Sequence, residues 1–252
     1  MQIIKAEIES HPPSEGQARR MFHGRGRTFP GYQDLLIDSY GSLLWVTLFA
    51  ERQTEWLGNL SDLLRSIRPE IECIVVQRRD LPQTSIRFLY GELPAQPQAQ
   101  EDGLSYLLRP QVGQNIGFFI DMAAGRSLVR KHATGKKVLN LFAYSCSFSV
   151  AALSAGAHQV INVDMNRGAL ELGRKNHLHN NLDMRAVSFL TFEIFRSISR
   201  LRKLGPFDLI ICDPPFSQGK SFTAETHWPK LVNRLGQLLS PGGEVVACLN
   251  AP

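Results

Sequence analysis

Hydrophobic and polar positions follow two different patterns along the chain, and the first pattern occupies residues 1–100. Short runs of β-like composition surround one stretch whose apolar residues recur at helical spacing and stop before Pro69. A turn at residues 39–42 separates two of these runs, which predicts a hairpin. The predicted elements are strands over residues 35–38 and 43–49, a helix over residues 56–67, and strands over residues 71–77 and 85–90. Residues 1–100 are therefore expected to form a small α+β domain that binds RNA or substrate.

The second pattern, over residues 111–252, alternates apolar β-branched runs with helical segments. The predicted strands cover residues 137–141, 159–163, 186–190, 207–211 and 244–249, and the predicted helices cover residues 148–156, 168–179, 194–204 and 224–239. Continuous apolar strands separated by helices are typical of a parallel sheet with helices on both faces. We therefore expect an α/β fold with a Rossmann-like, doubly wound and mostly parallel sheet. Residues 91–103, rich in Pro, Gln and Ala, are expected to form a linker or an exposed loop.

The chain ends at Pro252, directly after the fifth predicted strand. A doubly wound sheet normally carries more strands than five. The C-terminal strands of this domain are therefore expected to be missing from the sequence.

Composition indicates a globular protein, because 252 residues with 43% hydrophobic content can bury a sizeable core. No run of about 18 uncharged apolar residues occurs, so no transmembrane helix is predicted. The start MQIIKAEIES lacks the pattern of a secretion signal. The four cysteines are far apart and have no CxxC spacing, so neither a disulfide framework nor a metal site is expected. These features favour a cytoplasmic protein.

The net charge of +5 permits a polyanionic partner such as nucleic acid without requiring one. The most suggestive basic segment is RRMFHGRGRTF, residues 19–29, in which glycines and aromatic residues interleave with arginines. This composition predicts a flexible arm that contacts RNA, and the alternative is a solvated basic loop. Further basic positions are Arg78, Arg79, Arg200, Arg202 and Lys203.

Candidate ligand-binding residues follow the strands of the second domain, because open α/β sheets bind ligands beyond the carboxyl ends of their strands. After the first strand, the small residues of FAYSCSFS (142–149) lead into a helix N-terminus that favours a carboxylate. This loop lacks GxGxxG, which argues against a dinucleotide. After the second strand, Asp164 can accept hydrogen bonds from ribose hydroxyls, or can cap the next helix. After the third strand, Glu193 can accept from an adenine amine flanked by Ile194 and Phe195, or is an ordinary first-turn acid.

The run Asp213-Pro214-Pro215-Phe216 after the fourth strand is the most specific signal in the chain. Two prolines stiffen the loop and leave its carbonyl groups free to accept hydrogen bonds. The aspartate can hold a planar N–H donor, and Phe216 can stack on a nucleobase. Methyl transfer needs an acceptor held in line with the methyl group, which a rigid loop rich in acceptors provides. The alternative is a rigid turn with an exposed aromatic residue.

These segments together resemble bacterial class I S-adenosylmethionine-dependent methyltransferases that act on 23S ribosomal RNA. The nearest subgroup contains the large-subunit guanine-N7 and cytosine-C5 enzymes. The resemblance rests on GFFID (117–121), VLNLFAYSCSFSV (138–150), VD (163–164), the DPPF loop and PGG (241–243). It covers the chain from about Leu35 onward. It implies S-adenosyl-L-methionine as the cofactor and RNA, specifically 23S ribosomal RNA, as the partner.

The resemblance also implies a role for each matching residue. The residues that would close over the cofactor site are Phe119, Asp121 and Arg126. Those that would surround its methionine moiety are Asn140, Phe142, Tyr144 and Ser145. Asp164 would hold the ribose and Glu193 the adenine, with Met165 and Ile194 beside them. The residues that would hold the target base are Asp213, Pro214, Pro215 and Phe216, of which Asp213 would also contact the cofactor. This chain departs from the family at Cys146-Ser147, where a glycine pair is usual, and in the loop 216–220, which does not align with one target base.

The positions of the cysteines indicate which atom of the base accepts the methyl group. Cytosine-C5 transfer requires a thiolate that attacks C6, and Phe216 occupies one of the usual cysteine positions. Cys212 and Cys248 are expected to lie within strands and to be buried and inert. Nitrogen methylation needs no protein nucleophile, so a nitrogen acceptor such as one on guanine is favoured.

Two rival functions share part of the pattern. A nicotinamide-dependent oxidoreductase would share the strand–helix alternation and Asp164, but the missing GxGxxG and the DPPF loop argue against it. A non-catalytic RNA-binding module with a methyltransferase-like fold would be compatible with the replaced glycine pair.

Overall fold

The computed structural model describes residues 1–10, 16–83, 85–110, 114–218 and 222–248. The chain divides into two compact units, Met1–Asp121 and Met122–Pro252. Parts of three sequence-based expectations lie outside the described residues. They are the start of the second domain at Gln111, the end of the fifth strand at Leu249, and Gly219 and Lys220 in the loop after DPPF.

The N-terminal unit combines two helices with a five-stranded sheet and a separate hairpin. Its elements are α1 (Gln2–Ser10), β1 (Arg19–His23), β2 (Leu35–Tyr40), β3 (Leu43–Leu48), α2 (Thr54–Ile67), β4 (Cys73–Arg78), β5 (Ser85–Gly91), β6 (Gln98–Glu101) and β7 (Leu104–Leu107), with 3₁₀ helices at Gly24–Gly26 and Ile120–Met122. The sheet order is β1-β2-β3-β4-β5. The β3–β4 pair is parallel, and the other neighbouring pairs of this sheet are antiparallel.

The hairpin of β2 and β3 is the buried centre of this sheet, because every residue of both strands is buried. Gly41 in the turn between them has a φ of +64°, which glycine adopts without strain. Helix α2 buries Leu57, Leu60 and Leu64 in the same core. The predicted hairpin, helix and two following strands are therefore confirmed, with ends that differ by one or two residues.

The prediction of a flexible arm at residues 19–29 is wrong. Arg19–His23 forms β1 and pairs antiparallel with β2. Met21 and Phe22 are buried in the core of the unit. Burial of these two apolar side chains outweighs the polar composition that suggested an arm.

The glycines of the same segment also have a structural role. A Cβ at Gly24 would lie far inside 3.0 Å of the carbonyl oxygen of Tyr32, a separation that Cβ atoms essentially never show. Gly24 therefore allows a close approach of two backbone segments rather than flexibility. Arg20 is fixed as well, because its Nε donates to Asp38 Oδ1 at 2.8 Å.

Helix α1 and the hairpin of β6 and β7 were also not expected from the sequence. Helix α1 buries Ile4 and Ile8, which are one helical turn apart. Strand β6 lies inside residues 91–103, the expected linker, and pairs antiparallel with β7. Its residues are poor strand formers, but Ala99 is fully buried, so backbone pairing and burial outweigh local propensity.

The C-terminal unit is a doubly wound sheet, as predicted. Its elements are α3 (Ala123–His132), β8 (Lys137–Leu141), α4 (Ser147–Ser154), β9 (Gln159–Asp164), α5 (Arg167–His179), β10 (Val187–Thr191), α6 (Ile194–Leu204), β11 (Phe207–Cys212), β12 (Ser217–Gln218), β13 (Phe222–Thr223), α7 (Ala224–Leu235) and β14 (Leu239–Ala247), with a 3₁₀ helix at Met184–Ala186. Five strands pair in parallel in the order β10-β9-β8-β11-β14. Successive strand residues face opposite sides, so Val138 packs with α3 and α4 whereas Leu139 packs with α6 and α7.

The strand order brings the carboxyl ends of these strands to one edge. The chain leaves β8 for β9 and β10 on one side and returns to β11 and β14 on the other. The switch point therefore lies between β8 and β11. Leu141 at the end of β8 pairs with both Val163 and Cys212, and Cys212 pairs with Ala247. The residues that follow β8, β9, β11 and β14 consequently share this edge.

The entry into β14 differs from the prediction. Helix α7 ends at Leu235, four residues before the predicted end, because Leu239 already pairs with Phe207 of β11. The pairing then advances to Glu244 opposite Leu209, so residues 240–243 form a bulge. Gly242 in this bulge has a φ of +77°. Among the described residues, no helix combines the length and apolar character needed to cross a membrane.

Candidate active site

The loop after β8 has an unusual backbone. Phe142, Tyr144 and Cys146 have φ values of +55°, +47° and +60°, so every second residue is left-handed although none is glycine. Non-glycine residues are strained in this region and persist only where the surrounding structure holds them. The loop 142–146, called the cradle below, is therefore held rigidly at the sheet edge.

Three backbone contacts hold this loop. The N–H of Ala143 donates to the carbonyl oxygen of Val163 at 3.0 Å, and the N–H of Cys146 donates to that of Ala143 at 2.7 Å. The N–H of Tyr144 donates to Asp164 Oδ2 at 2.8 Å. The end of β9 thus fixes the loop that follows β8.

Asp164 is the last residue of β9 and is buried. Its Oδ1 accepts from the N–H of Asn166 at 2.7 Å, while Oδ2 accepts from Tyr144. A carboxylate has about four acceptor positions, so two are left for a ligand. The alternative that Asp164 caps the next helix is wrong, because Asn166 is the cap of α5 and accepts from the N–H of Ala169 at 3.1 Å.

A shallow cleft, partly open to solvent, lies between the ends of β8, β9 and β10. Its walls combine the carboxylates of Asp164 and Glu193 with apolar side chains. The residues that line it are Phe142, Asp164, Met165, Phe192, Glu193, Ile194, Phe195 and Phe222. An apolar slot with two acceptors has the chemistry that a nucleoside needs, because a purine ring is flat and its ribose carries hydroxyl donors.

Glu193 is the N-cap of α6. Its Oε1 accepts from the N–H of Phe195 at 3.0 Å, and its Oε2 accepts from that of Arg196 at 2.8 Å. Glu193 therefore precedes the first turn of α6 as its cap, whereas the alternative placed it as an acid within that turn. Because the same carboxylate also lines the cleft, a contact with an adenine amine stays a prediction.

The aromatic base of the cleft includes a residue that the sequence reasoning missed. Phe222 is almost fully buried and meets the ring of Phe142 edge-on, with ring centroids 5.1 Å apart. It also stacks on Phe195 at 6.5 Å between centroids. Its only signal in the sequence was an aromatic residue shortly before a predicted helix, which is too common to interpret.

The loop after β11 lies on the other side of the switch point. Pro214 is buried, whereas Phe216 is 44% exposed. Strands β12 and β13 pair antiparallel just beyond it, and the N–H of Ala224 donates to the carbonyl oxygen of Phe216 at 3.0 Å. The loop therefore returns as a short ribbon and presents its phenylalanine outward.

Cys248 corrects one expectation. It follows the end of β14 instead of lying within the strand, and it is only partly buried. Burial, and next the charge of Asp213, raise the pKa of its thiol to about 11, while Arg126 acts in the opposite direction. Asp213 and Arg126 therefore lie close enough to Cys248 for their charges to act on its thiol. Cys212 is buried within β11 as expected, and burial raises its thiol pKa.

Several cofactor residues suggested by the resemblance are less accessible. Arg126 is 1% exposed on α3. Asn140 is also buried, and its Nδ2 donates to Asn162 Oδ1 at 2.9 Å. Phe119 and Asp121 belong to the N-terminal unit. The roles of these four residues in cofactor binding stay predictions, as does that of Ser145, which is buried in the loop after β8.

A series of buried hydrogen bonds links β9 with α4 and α5. Asn162 Nδ2 donates to Ser149 Oγ at 3.0 Å, and Ser149 Oγ lies 2.8 Å from His177 Nε2. His177 Nδ1 lies 2.7 Å from the carbonyl oxygen of Gly173, which can only accept, so Nδ1 carries the proton and Nε2 accepts from Ser149. Burial lowers the pKa of His177 to about 4. No pattern in the sequence indicated these hydrogen bonds, because the residues that form them belong to β9, α4 and α5.

Comparison with known sequences agrees with this geometry. The sequence model described as S-adenosylmethionine-dependent methyltransferase matches residues 19–252. The curated proteins named Ribosomal RNA large subunit methyltransferase I from Aeromonas salmonicida and Yersinia pseudotuberculosis are 33% and 34% identical over 228 and 237 residues. These alignments cover 84% and 89% of this chain. They cover 56% and 58% of the relatives, so the chain spans little more than half of their length.

Two solved structures share the fold over 98% of this chain at 27% identity. One is described as the methyltransferase SMU.776 complexed with SAH, with a TM-score of 0.86 and 65% of its chain covered. The other is described as a SAM-dependent methyltransferase from Streptococcus mutans, with a TM-score of 0.84 and 64% of its chain covered.

Proposed function

Because the chain belongs to the S-adenosylmethionine-dependent methyltransferase family, we propose that it transfers a methyl group from this cofactor to a base of ribosomal RNA. The observation that carries the proposal is the shared edge of the sheet. The loop 142–146, the carboxylates of Asp164 and Glu193 and the DPPF loop all follow strands that end there. Ligands of doubly wound sheets bind at such an edge.

The residues present fit the cofactor. The cradle leads directly into α4, which begins at Ser147. The first N–H groups of a helix have no partner within the helix, so this N-terminus can receive a carboxylate. Asp164 keeps two acceptor positions for ribose hydroxyls, and the apolar walls at Phe192 and Ile194 suit a purine ring. When bound, S-adenosylmethionine supplies a methyl group activated by a sulfonium centre.

The chain's own task is to orient the two reactants. The loop at residues 213–216 is stiffened by its prolines, and Phe216 presents an exposed ring on which a base can stack. A base that is paired must first leave its stack, at a cost of a few kcal/mol, and an exposed aromatic ring offsets part of that cost. The proposed role of Asp213 is to accept a hydrogen bond from the base and hold its acceptor atom in line with the methyl group.

The choice of ribosomal RNA is supported by the relatives, which carry the name of a large-subunit ribosomal RNA methyltransferase. The net charge of +5 is compatible with a polyanionic substrate. We extend the proposal to 23S RNA because it is the major RNA of the bacterial large subunit.

For the acceptor atom, we propose a ring nitrogen. Burial raises the thiol pKa of Cys212, and the thiol pKa of Cys248 is raised to about 11. Both cysteines are therefore protonated at neutral pH in the free protein, whereas nucleophilic catalysis needs a thiolate. A nitrogen lone pair needs no such activation.

A second candidate, cytosine C5, is supported by the position of Cys248 beyond the end of β14 and near Asp213. In that reaction the thiolate adds to C6 and makes C5 nucleophilic. After transfer, loss of the C5 proton expels the thiolate and restores the ring. Arg126 favours the thiolate through its charge.

The experiment is transfer from labelled S-adenosylmethionine to 23S RNA, presented both as naked RNA and in large-subunit particles, followed by mass spectrometry of the digested nucleosides. A methylated base that forms only with the protein present is the expected result. RNA binding without binding of S-adenosylhomocysteine would support a non-catalytic module instead, and binding of NAD in its place would support an oxidoreductase.

A further inference from the structure

Cys146 ends the cradle in a left-handed conformation with its side chain directed inward. The residue is fully buried although it is strained, with a φ of +60°. Its core neighbours are Ala143 and Leu170, and Leu170 belongs to α5. Glycine would adopt this backbone without strain. A cysteine at this position also needs space for its side chain, and that space must be provided by the neighbouring helix α5.

The accommodating residue is Gly173, in the middle of α5. A Cβ at position 173 would lie 2.9 Å from Cys146 Cβ, 3.3 Å from the carbonyl carbon of Ser145, and still closer to Cys146 Sγ. Gly173 does not have a positive φ, so its backbone does not require glycine. Glycine also disfavours a helix interior relative to alanine. The remaining reason for this glycine is the volume of the Cys146 side chain.

The same face of α5 holds the loop by a hydrogen bond. Asn176 is fully buried, one turn beyond Gly173, and its Nδ2 donates to the carbonyl oxygen of Ser145 at 3.0 Å. His177 then ties α5 to α4 through Ser149. Helix α5 therefore contacts the cradle in two ways: the Cys146 side chain packs into the space beside Gly173, and Asn176 donates a hydrogen bond to Ser145.

We propose that the Gly173–Asn176 face of α5 positions the cradle for the methyl donor, with Cys146 and Gly173 as a size-matched pair in which the cysteine fills the space left by the glycine. This inference rests on the proposed function. Gly173 and Asn176 are positioning residues, since they act through residues 142–146. Cys146 is a packing group, and burial followed by the charge of Asp164 raises its thiol pKa well above the usual range.

The test moves the larger side chain from position 146 to position 173. In Gly173→Ala the new methyl group displaces Cys146, so fewer molecules hold the cradle in its binding conformation and the Kd for S-adenosylhomocysteine rises about tenfold or more. In the double variant Cys146→Gly/Gly173→Ala the alanine fills the vacated space, and the Kd returns to within about threefold of the unsubstituted chain. Gly58→Ala, also inside a helix but with no atom within 4 Å of the new Cβ, is the matched control and leaves the Kd unchanged.

Binding is measured by calorimetry well below the Tm of each variant, so that only folded protein is compared. An unchanged Kd in Gly173→Ala together with a lowered Tm would show a purely structural role and overturn the inference. A double variant that binds no better than Gly173→Ala would also overturn it. If the unsubstituted chain fails to bind S-adenosylhomocysteine, the proposed function itself fails, which is a distinct result.

Discussion

The carboxylate of Asp164 accepts a hydrogen bond of 2.8 Å from the backbone N–H of Tyr144. The residue that ends β9 thereby sets the conformation of the loop that follows β8. One side chain links the two segments that are proposed to hold the sugar and the carboxylate of the same cofactor.

Asp164→Ala should weaken binding of S-adenosylhomocysteine by roughly 1–3 kcal/mol, because ribose hydrogen bonds are lost and two backbone N–H groups lose their acceptor. Calorimetric titration measures the effect. The matched control is Asp183→Ala, since Asp183 also accepts from a backbone N–H two residues ahead but is exposed. Equal affinity of Asp164→Ala and the unsubstituted chain would contradict the ribose assignment.

Asp213→Ala should abolish methyl transfer while leaving the Kd for S-adenosylhomocysteine nearly unchanged, because the side chain is proposed to act on the target base. Single-turnover transfer and calorimetry separate the two effects. Asp208→Ala is the control on the same strand. Asp208 accepts from the N–H of Lys137 at 2.9 Å at the opposite end of β11, so its loss should lower stability and spare transfer. Joint loss of binding and transfer in Asp213→Ala would indicate a structural role.

Cys248→Ala separates the two acceptor candidates. A nitrogen acceptor predicts that kcat stays within about threefold of the unsubstituted chain, because no covalent bond to the protein forms. A C5 acceptor predicts complete loss of product. Cys212→Ala serves as the control for removal of a neighbouring, buried thiol. Loss of transfer in Cys248→Ala alone would reject the nitrogen proposal.

His177 should make stability depend on pH. Burial lowers its pKa to about 4 in the folded chain, whereas an unfolded histidine has a pKa of about 6.5. Between these values the unfolded chain binds a proton that the folded chain excludes. The contribution of neutral His177 to the free energy of unfolding is therefore fully present above about pH 6.5. The free energy of unfolding falls by up to about 3 kcal/mol as the pH approaches 4. Urea unfolding from pH 7.5 to 4.5 should show a shallower decline for His177→Gln than for the exposed His158→Gln, and equal declines would refute the assignment.

Gly24→Ala should destabilise the N-terminal unit by about 2 kcal/mol or more, because the new methyl group would overlap the Tyr32 carbonyl group. Gly26→Ala should be close to neutral, since its nearest neighbour, Thr28 Oγ1, is 3.6 Å from the new Cβ. Thermal unfolding of the two variants compares them directly. A mobile arm would tolerate both changes equally.

The parts of the fold that could be predicted are those in which the pattern is local. The apolar run at β8 and the helical spacing in α2 are visible within a dozen residues, and Asp164 was recognised because it follows such a run. The errors arose where distant residues decide the outcome. Gly24 is glycine because Tyr32 lies against it, and β14 ends at Ala247, so that Cys248 lies just beyond a strand that was predicted to include it.

The candidate site shows the same division. The DPPF loop and Glu193 were found from their places after strands, since parallel strands end at a common edge. That Glu193 caps α6, and that Phe222 forms the base of the cleft, depend on side-chain packing between segments far apart in the sequence. A single sequence carries no direct record of such packing.

The cradle at residues 142–146 contains no glycine although three of its residues are left-handed. Non-glycine residues have fewer backbone states in the unfolded chain, and those of this loop are already restricted when the protein folds. Most of the loss of conformational entropy then accompanies folding and not the arrival of a ligand. A binding site built around a preorganised loop of this kind should take up its ligand with a small entropic penalty, so that affinity depends mainly on the enthalpy of the contacts formed.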